Sequence, residues 1–195
     1  MSANAYGVSA AHTSVPPDGR LRADRLAAAH LIIAEVHGEP TERLLADVAE
    51  LGTPVELICG DGSRVAPGIV CSRFATEDSA ASMLASRLQD ARTGLRVYVA
   101  GSERFVRLIV ACGVRGGLSE GEMFTETVGS RARRVICMHC KTITEGVTTS
   151  VTACAGCRSQ LLVYHHFSRR LVAYMGFRVD AEVPGELPEP ELLWP

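Results

Sequence analysis

Four of the seven cysteines of this chain fall within 21 residues, "CMHCKTITEGVTTSVTACAGC", as two C-x-x-C pairs separated by thirteen residues. Few arrangements constrain a fold as tightly. Two such turns on opposed hairpins bring four thiolates to one point, enough to complete a tetrahedral zinc shell. Cys137, Cys140, Cys154 and Cys157 are therefore the expected metal ligands, and the segment is expected to be a small ribbon. Zinc with four thiolates carries a formal charge of −2, which Lys141 and Arg158, each directly after a pair, are placed to offset. Gly156 is expected to ease the second turn. A four-cysteine site is coordinatively closed, so the metal reads as structural and no catalytic residue is assigned. The same ligands would also hold a single iron, as in rubredoxins, for one-electron transfer.

The remaining cysteines, Cys59, Cys71 and Cys112, sit in apolar runs and read as small core residues. The first twenty residues lack both a basic n-region and an apolar h-region, so they do not read as a signal peptide, and no apolar run reaches membrane-spanning length. Together with the paired cysteines this points to the cytoplasm and to metal rather than disulfides.

Upstream, short apolar runs alternate with helical patterns. "HLIIAEV" (30–36), "PVELICG" (54–60), "GIVCSRF" (68–74) and "LRVYVAG" (95–101) have strand length. "TERLLADVAELG" carries a helical face, with Thr41 as the expected N-cap and Gly52 as the stop; "TEDSAASMLASRLQDARTG" and "SERFVRLIVACG" repeat the signature. This rhythm predicts an open parallel α/β sheet over residues 23–130. Residues 1–22 read as a flexible tail, 131–179 as the ribbon, and 180–195, with five acids, four prolines and no base, as an extended arm.

The chain of 195 residues has a formal charge of −2, yet Arg131–Arg178 holds eight Lys or Arg against one acid, Glu145. A basic face of that kind suits an anionic partner, whether nucleic acid, a cofactor or an acidic protein surface, or simply offsets an anionic metal site. Sparse aromatic interleaving and the acidic arm argue against nucleic acid. His165 and His166, in the dense "YHHFSRR", alternate across a strand, so at most one faces the core; either is a candidate ligand. His139, inside the first pair, reads as a loop residue.

"LRVYVAGSERFVRLIVACGVRGGLSEGEMFTETVG" resembles the end of the nucleotide domain of ferredoxin–NADP reductase-type flavoproteins. The matching positions are Ala100-Gly101-Ser102, with Glu126 in place of a carboxyl-end glutamate, but the cysteine and proline of that pattern are missing. The loop after the first strand, "VHGEPTERLL", has one glycine, Gly38, and two acids, Glu39 and Glu42, where a pyrophosphate cradle would be needed. The fold is thus expected to be ferredoxin-reductase-like and the nicotinamide site lost, with Gly38, Gly101, Ser102 and Glu126 as its remaining candidates.

A reductase-like domain followed by a four-cysteine ribbon resembles the family of the small, non-haem subunit of bacterial dimethylamine monooxygenase. The specific match is "CMHC", "CAGC", "LLVYHHFSRRLVAYMGF" and "PGELPEPELLWP", in that order. The resemblance implies a small accessory subunit with a rubredoxin-like zinc ribbon, serving a multi-subunit monooxygenase that demethylates a secondary amine. Haem, FMN and an iron–sulfur cluster would reside in separate haem and reductase subunits, with NAD(P)H as the electron source. Two other readings stay open from the residues: a zinc-ribbon nucleic-acid-binding protein and a rubredoxin-like electron carrier.

Overall fold

The computed structural model describes residues 18–65, 70–181, 185 and 187–193. The chain divides into two units, meeting in sequence at Arg131–Ala132. The first holds five strands, β1 (Ala29–Ala34), β2 (Val55–Gly60), β3 (Cys71–Phe74), β4 (Leu95–Gly101) and β5 (Met123–Thr127), with helices α1 (Glu39–Leu51), α2 (Glu77–Gln89) and α3 (Glu103–Arg115). The strands are all parallel, in the order β3-β2-β1-β4-β5.

That order dictates where the helices go. From β1 the chain moves one way to β2 and β3, then returns past β1 to β4 and β5. A right-handed crossover therefore puts α1 on one face and α2 and α3 on the other. The buried residues follow suit. Leu31 and Ile33 of β1 pack with Leu84 of α2 and Ile109 of α3, while Ile32 and Ala34 pack with Leu44 and Val48 of α1. Covered on both faces, β1 and β4 read as the continuous apolar runs seen in the sequence.

Local signals set the helix ends. Gly52 closes α1 in the left-handed conformation, Thr76 caps α2 in a box with Ser79, and the Ser102 hydroxyl accepts from the Phe105 N–H on α3. Thr41 is not the N-cap of α1. The helix begins earlier, at Glu39 after Gly38, because Pro40 fits the first turn, and Thr41 is buried within it.

Residues 18–22 depart from the expected tail, whose first seventeen residues lie outside the described ones. Gly19 N–H donates to Thr125 O, Leu21 N–H to a Glu126 carboxylate oxygen at 2.7 Å, and Asp18 accepts from Thr125 and Thr127. Leu21, 1% exposed, fills the α1 face of the core. Cys59 and Cys71 also depart from expectation. They lie on the adjacent strands β2 and β3 with Cα atoms 6.7 Å apart and form a disulfide, while Cys112 is a free, buried thiol. Gly68 and Ile69 of the third expected strand lie outside the described residues.

The second unit is a five-stranded sheet of β6 (Arg133–Cys137), β7 (Ile143–Val147), β8 (Val151–Ala153), β9 (Gln160–Ser168) and β10 (Ala173–Arg178), ordered β7-β6-β10-β9-β8. Only β6 and β10 run parallel. Its core includes Val135, Leu161, Phe167, Ala173 and Tyr174. Near the chain end, Leu192 bridges Thr149, and Leu193 N–H donates to Thr148 O. No helix among the described residues is long and apolar enough to cross a membrane.

Because Leu21 is a core residue outside any regular element, Leu21→Ala should cost about 2–4 kcal/mol of unfolding free energy. Urea unfolding of the full chain measures it, and an unchanged midpoint would return the segment to the status of a tail.

Candidate metal centre and strand-end crevice

Each C-x-x-C pair sits at the tip of one hairpin, between β6 and β7 and between β8 and β9. The two tips are built alike. In the first, Cys137 N–H donates to Thr142 O and Lys141 N–H returns to Cys137 O; in the second, Cys154 N–H donates to Ser159 O and Arg158 N–H to Cys154 O. Closing each turn so tightly puts Lys141 at φ 64° and Arg158 at φ 61°, the left-handed region that side chains disfavour. Gly156 has a different job from the one expected of it. A Cβ there would collide with the Thr142 side chain of the opposite tip, so glycine lets the tips approach.

The approach brings all four sulfurs within 4.8 Å of one another, with Cys140 and Cys154 at 3.5 Å and Cys137 and Cys157 at 3.8 Å. These separations are far too long for disulfides. They match the edge of about 3.8 Å expected for a tetrahedron of sulfurs about 2.3 Å from a central ion. The four expected ligands are thus the ones the fold assembles, and they fit a tetrahedral thiolate-bound metal. Neither His165 nor His166 joins them; both are exposed on β9.

Neighbouring groups tune the sulfurs unequally. Burial pushes the Cys137 thiol up to about 11. The hydroxyl and N–H of Thr142 lower Cys140 to about 7. Those of Ser159, with His139 adding to them, lower Cys157 to about 5. The Gly156 N–H points at Cys154 Sγ, 3.4 Å away. Cys137 is thus biased toward the thiol, and Cys140 and Cys157 toward the thiolate. His139, expected to be a plain loop residue, contributes to the charge environment of Cys157 without being a ligand.

The other candidates converge at the carboxyl edge of the parallel sheet. Gly38 precedes α1, Gly101 ends β4, Ser102 caps α3, and Glu126 lies beside Ala100 on β5. Here, between β1 and β4, the strand order reverses, the place where open α/β sheets take ligands. The chain fills it from within. The Glu35 carboxylate accepts from the Ser102 N–H at 2.5 Å, at the positive end of the α3 dipole. A Cβ on Gly101 would stand 2.7 Å from Glu35 Cβ, and one on Gly60 would strike the Glu35 carbonyl oxygen. The two glycines that flank the crevice thus make room for Glu35. Glu126 is engaged too, by Leu21 N–H and by the Arg43 guanidinium at 2.5 Å. His37 Nδ1 and Thr41 Oγ1 lack hydrogen-bond partners at the same turn, but both are shut off from solvent and out of a soluble ligand's reach.

Residues 134–177, which hold both tips, match the family described as "Dimethylamine monooxygenase subunit DmmA-like, C-terminal domain". This segment is therefore similar to a DmmA-like C-terminal domain. Over 102 residues the chain is 37% identical to a protein of Ectopseudomonas mendocina (strain ymp) named "Heme-dependent oxidative N-demethylase delta subunit". The match takes in 52% of this chain and 58% of that relative, so the chain spans a little over half the relative's length. No solved structure matches. The resemblance to the small dimethylamine monooxygenase subunit therefore holds, and it is anchored on the DmmA-like domain.

Two outcomes test these centres. Cys154→Ser should abolish the one metal expected per chain and give the second unit its own, lower melting transition, as chelation should. Metal analysis with calorimetry measures this, and identical melting with and without metal would deny the cluster a structural role. Glu35→Ala should cost about 1.5–3 kcal/mol by leaving the Ser102 N–H without its partner, while Glu35→Gln, which keeps an acceptor, should cost less. Equal losses would show that packing, not the hydrogen bond, is what matters there.

Proposed function

We propose that this chain is a small accessory subunit of a haem-dependent oxidative N-demethylase, driven by NAD(P)H and acting on a secondary amine such as dimethylamine. The observation that carries the reading is the closed four-cysteine cluster inside a DmmA-like domain. Zinc is the metal that suits it. It accepts four thiolates without a preference for any other geometry, undergoes no redox change, and leaves no position open for substrate. What it supplies is charge neutralisation and a cross-link between the two tips. The chain's own residues hold that cross-link in place: Thr142, Ser159 and the Gly156 N–H address the sulfurs, and Lys141 and Arg158 follow them at the turns.

In this reading the first domain has ferredoxin-reductase-like ancestry and the second is a rubredoxin-like ribbon. Glu35, seated on the α3 N-terminus, supports the absence of a nicotinamide site, since a pyrophosphate there would meet a carboxylate instead of free N–H groups. Gly38, Gly101, Ser102 and Glu126 would then be structural. Haem, FMN and an iron–sulfur cluster belong to the haem and reductase subunits, which this chain assembles or positions. The cytoplasm is the proposed location. The Cys59–Cys71 disulfide is the one observation against it, and a thiol count under non-reducing denaturation bears on the question directly.

Metal analysis and a visible spectrum, taken on the tagged chain alone and after co-expression with the other subunits, test the reading. Expected are a colourless chain with one zinc and a co-purified complex with haem and flavin absorption. Iron and colour in the isolated chain would favour an electron carrier. Purification without any redox subunit would sink the accessory role.

A further inference from the structure

Strands β9 and β10 pair antiparallel with one large irregularity. Phe167 faces Tyr174 and Val163 faces Gly176, so Tyr164, His165 and His166 stand opposite Met175 alone. Three residues against one is a wide β-bulge, a device that re-aims side chains at functional surfaces. It does so here. Leu161, Val163 and Phe167 point into the core, whereas Tyr164, His165 and His166 are all exposed, breaking the period-two alternation. Beside the bulge, Gly176 lies so close to the core that an added Cβ would stand 2.7 Å from Val135 Cγ1 and 3.0 Å from Leu161 Cδ1.

The lifted residues continue into an aromatic pair. The Tyr164 ring meets Phe177 of β10 edge-on at 5.0 Å, and the two remain 39% and 41% exposed. Arg169 and Arg170 are exposed at the turn that follows, and Gln160–Arg178 contains not one carboxylate. Exposed aromatics rimmed by arginine are the composition of a protein interface core, not of an idle surface. Nucleic acid fits less well. Two arginines at the rim neutralise few phosphates, and neutral histidines add none.

We infer that the bulged patch of Tyr164, His165, His166 and Phe177, with the Arg169–Arg170 turn at its rim, is a docking surface for an acidic face of a redox subunit. The inference rests on the accessory-subunit reading and adds where on the chain the contact is made. Its occupant is carboxylate-bearing because Gln160–Arg178 contains no carboxylate and Arg170 stands exposed at the turn.

The test uses the full-length tagged chain co-expressed with the haem and reductase subunits, comparing wild type, Tyr164→Ser with Phe177→Ser, and Arg170→Glu. Wild type should retain a redox subunit, more weakly as salt rises from low to physiological strength. The double variant should weaken retention by about tenfold or more, and Arg170→Glu several-fold, with metal content and melting temperature unchanged. If the double variant loses its metal it has misfolded, and the surface substitution Arg170→Glu then decides. Variants that keep both their metal and wild-type retention overturn the patch and leave the functional reading standing. A wild-type chain that retains no redox subunit overturns both. Loss of a dimer in the variants would assign the patch to a second copy. Co-purifying nucleic acid displaced by Arg170→Glu would assign it to phosphate. Either result overturns the inference.

Discussion

Four sulfur atoms held within 4.8 Å of one another repel as soon as they ionise, so a cation at their centre would favour the second unit's closure. The rest of that unit is arranged around this demand. Its sheet places β7 and β8 at opposite edges, joined through Thr148–Ser150, while the tips of β6–β7 and β8–β9 are brought together. The core alone is small, and domains of this size commonly need a metal or disulfide staple. Lys141 and Arg158 show how strongly the tips are determined. Two non-glycine residues accept left-handed backbone at equivalent places, at about 1–2 kcal/mol each. The hydrogen bonds that impose this conformation, Lys141 to Cys137 and Arg158 to Cys154, also set the reach of each cysteine pair.

The parallel-sheet domain shows the opposite relation between architecture and site. Its strand order creates a crevice at the reversal between β1 and β4, with a helix N-terminus on each side, the ingredients for anion binding. Glu35 supplies the anion from the chain itself. The glycines at the ends of β2 and β4 admit Glu35. Glu126 is turned inward as well, tying residues 18–22 and Arg43 to the sheet. An architecture suited to a ligand has been made self-sufficient by two carboxylates.

These differences mark what local sequence reveals and what it does not. The metal ligands were legible because C-x-x-C encodes its own geometry within four residues, and β1, β2 and β4 because apolar runs of strand length need no partner to be recognised. β5 was not, since "MFTET" is short and polar by alternation and becomes a strand only by pairing with β4. Leu21 gave no signal because its burial depends on Glu126, 105 residues away. Cys59 and Cys71 lie twelve residues apart with no motif, and only the register of β2 and β3 brings them together. The start of α1 was recoverable: Pro40 in the first turn outweighs a threonine one residue later. The exposure of both His165 and His166 was not, because alternation assumes a regular strand and the bulge removes that regularity.

In each unit a closely packed place is lined by the chain's own polar groups, four thiols in one and Glu35 in the other. Four thiolates saturate a tetrahedral site and leave no coordination position for substrate. In the other unit the Glu35 carboxylate occupies the Ser102 N–H at the start of α3. Under the proposed accessory role the chain would act through its surface, where exposed apolar groups are the informative features. The aromatic pair of Tyr164 and Phe177 and the three-residue bulge beside it are of that kind. Contact with another molecule, as proposed, would cover the two rings, which their own sheet leaves 39% and 41% exposed.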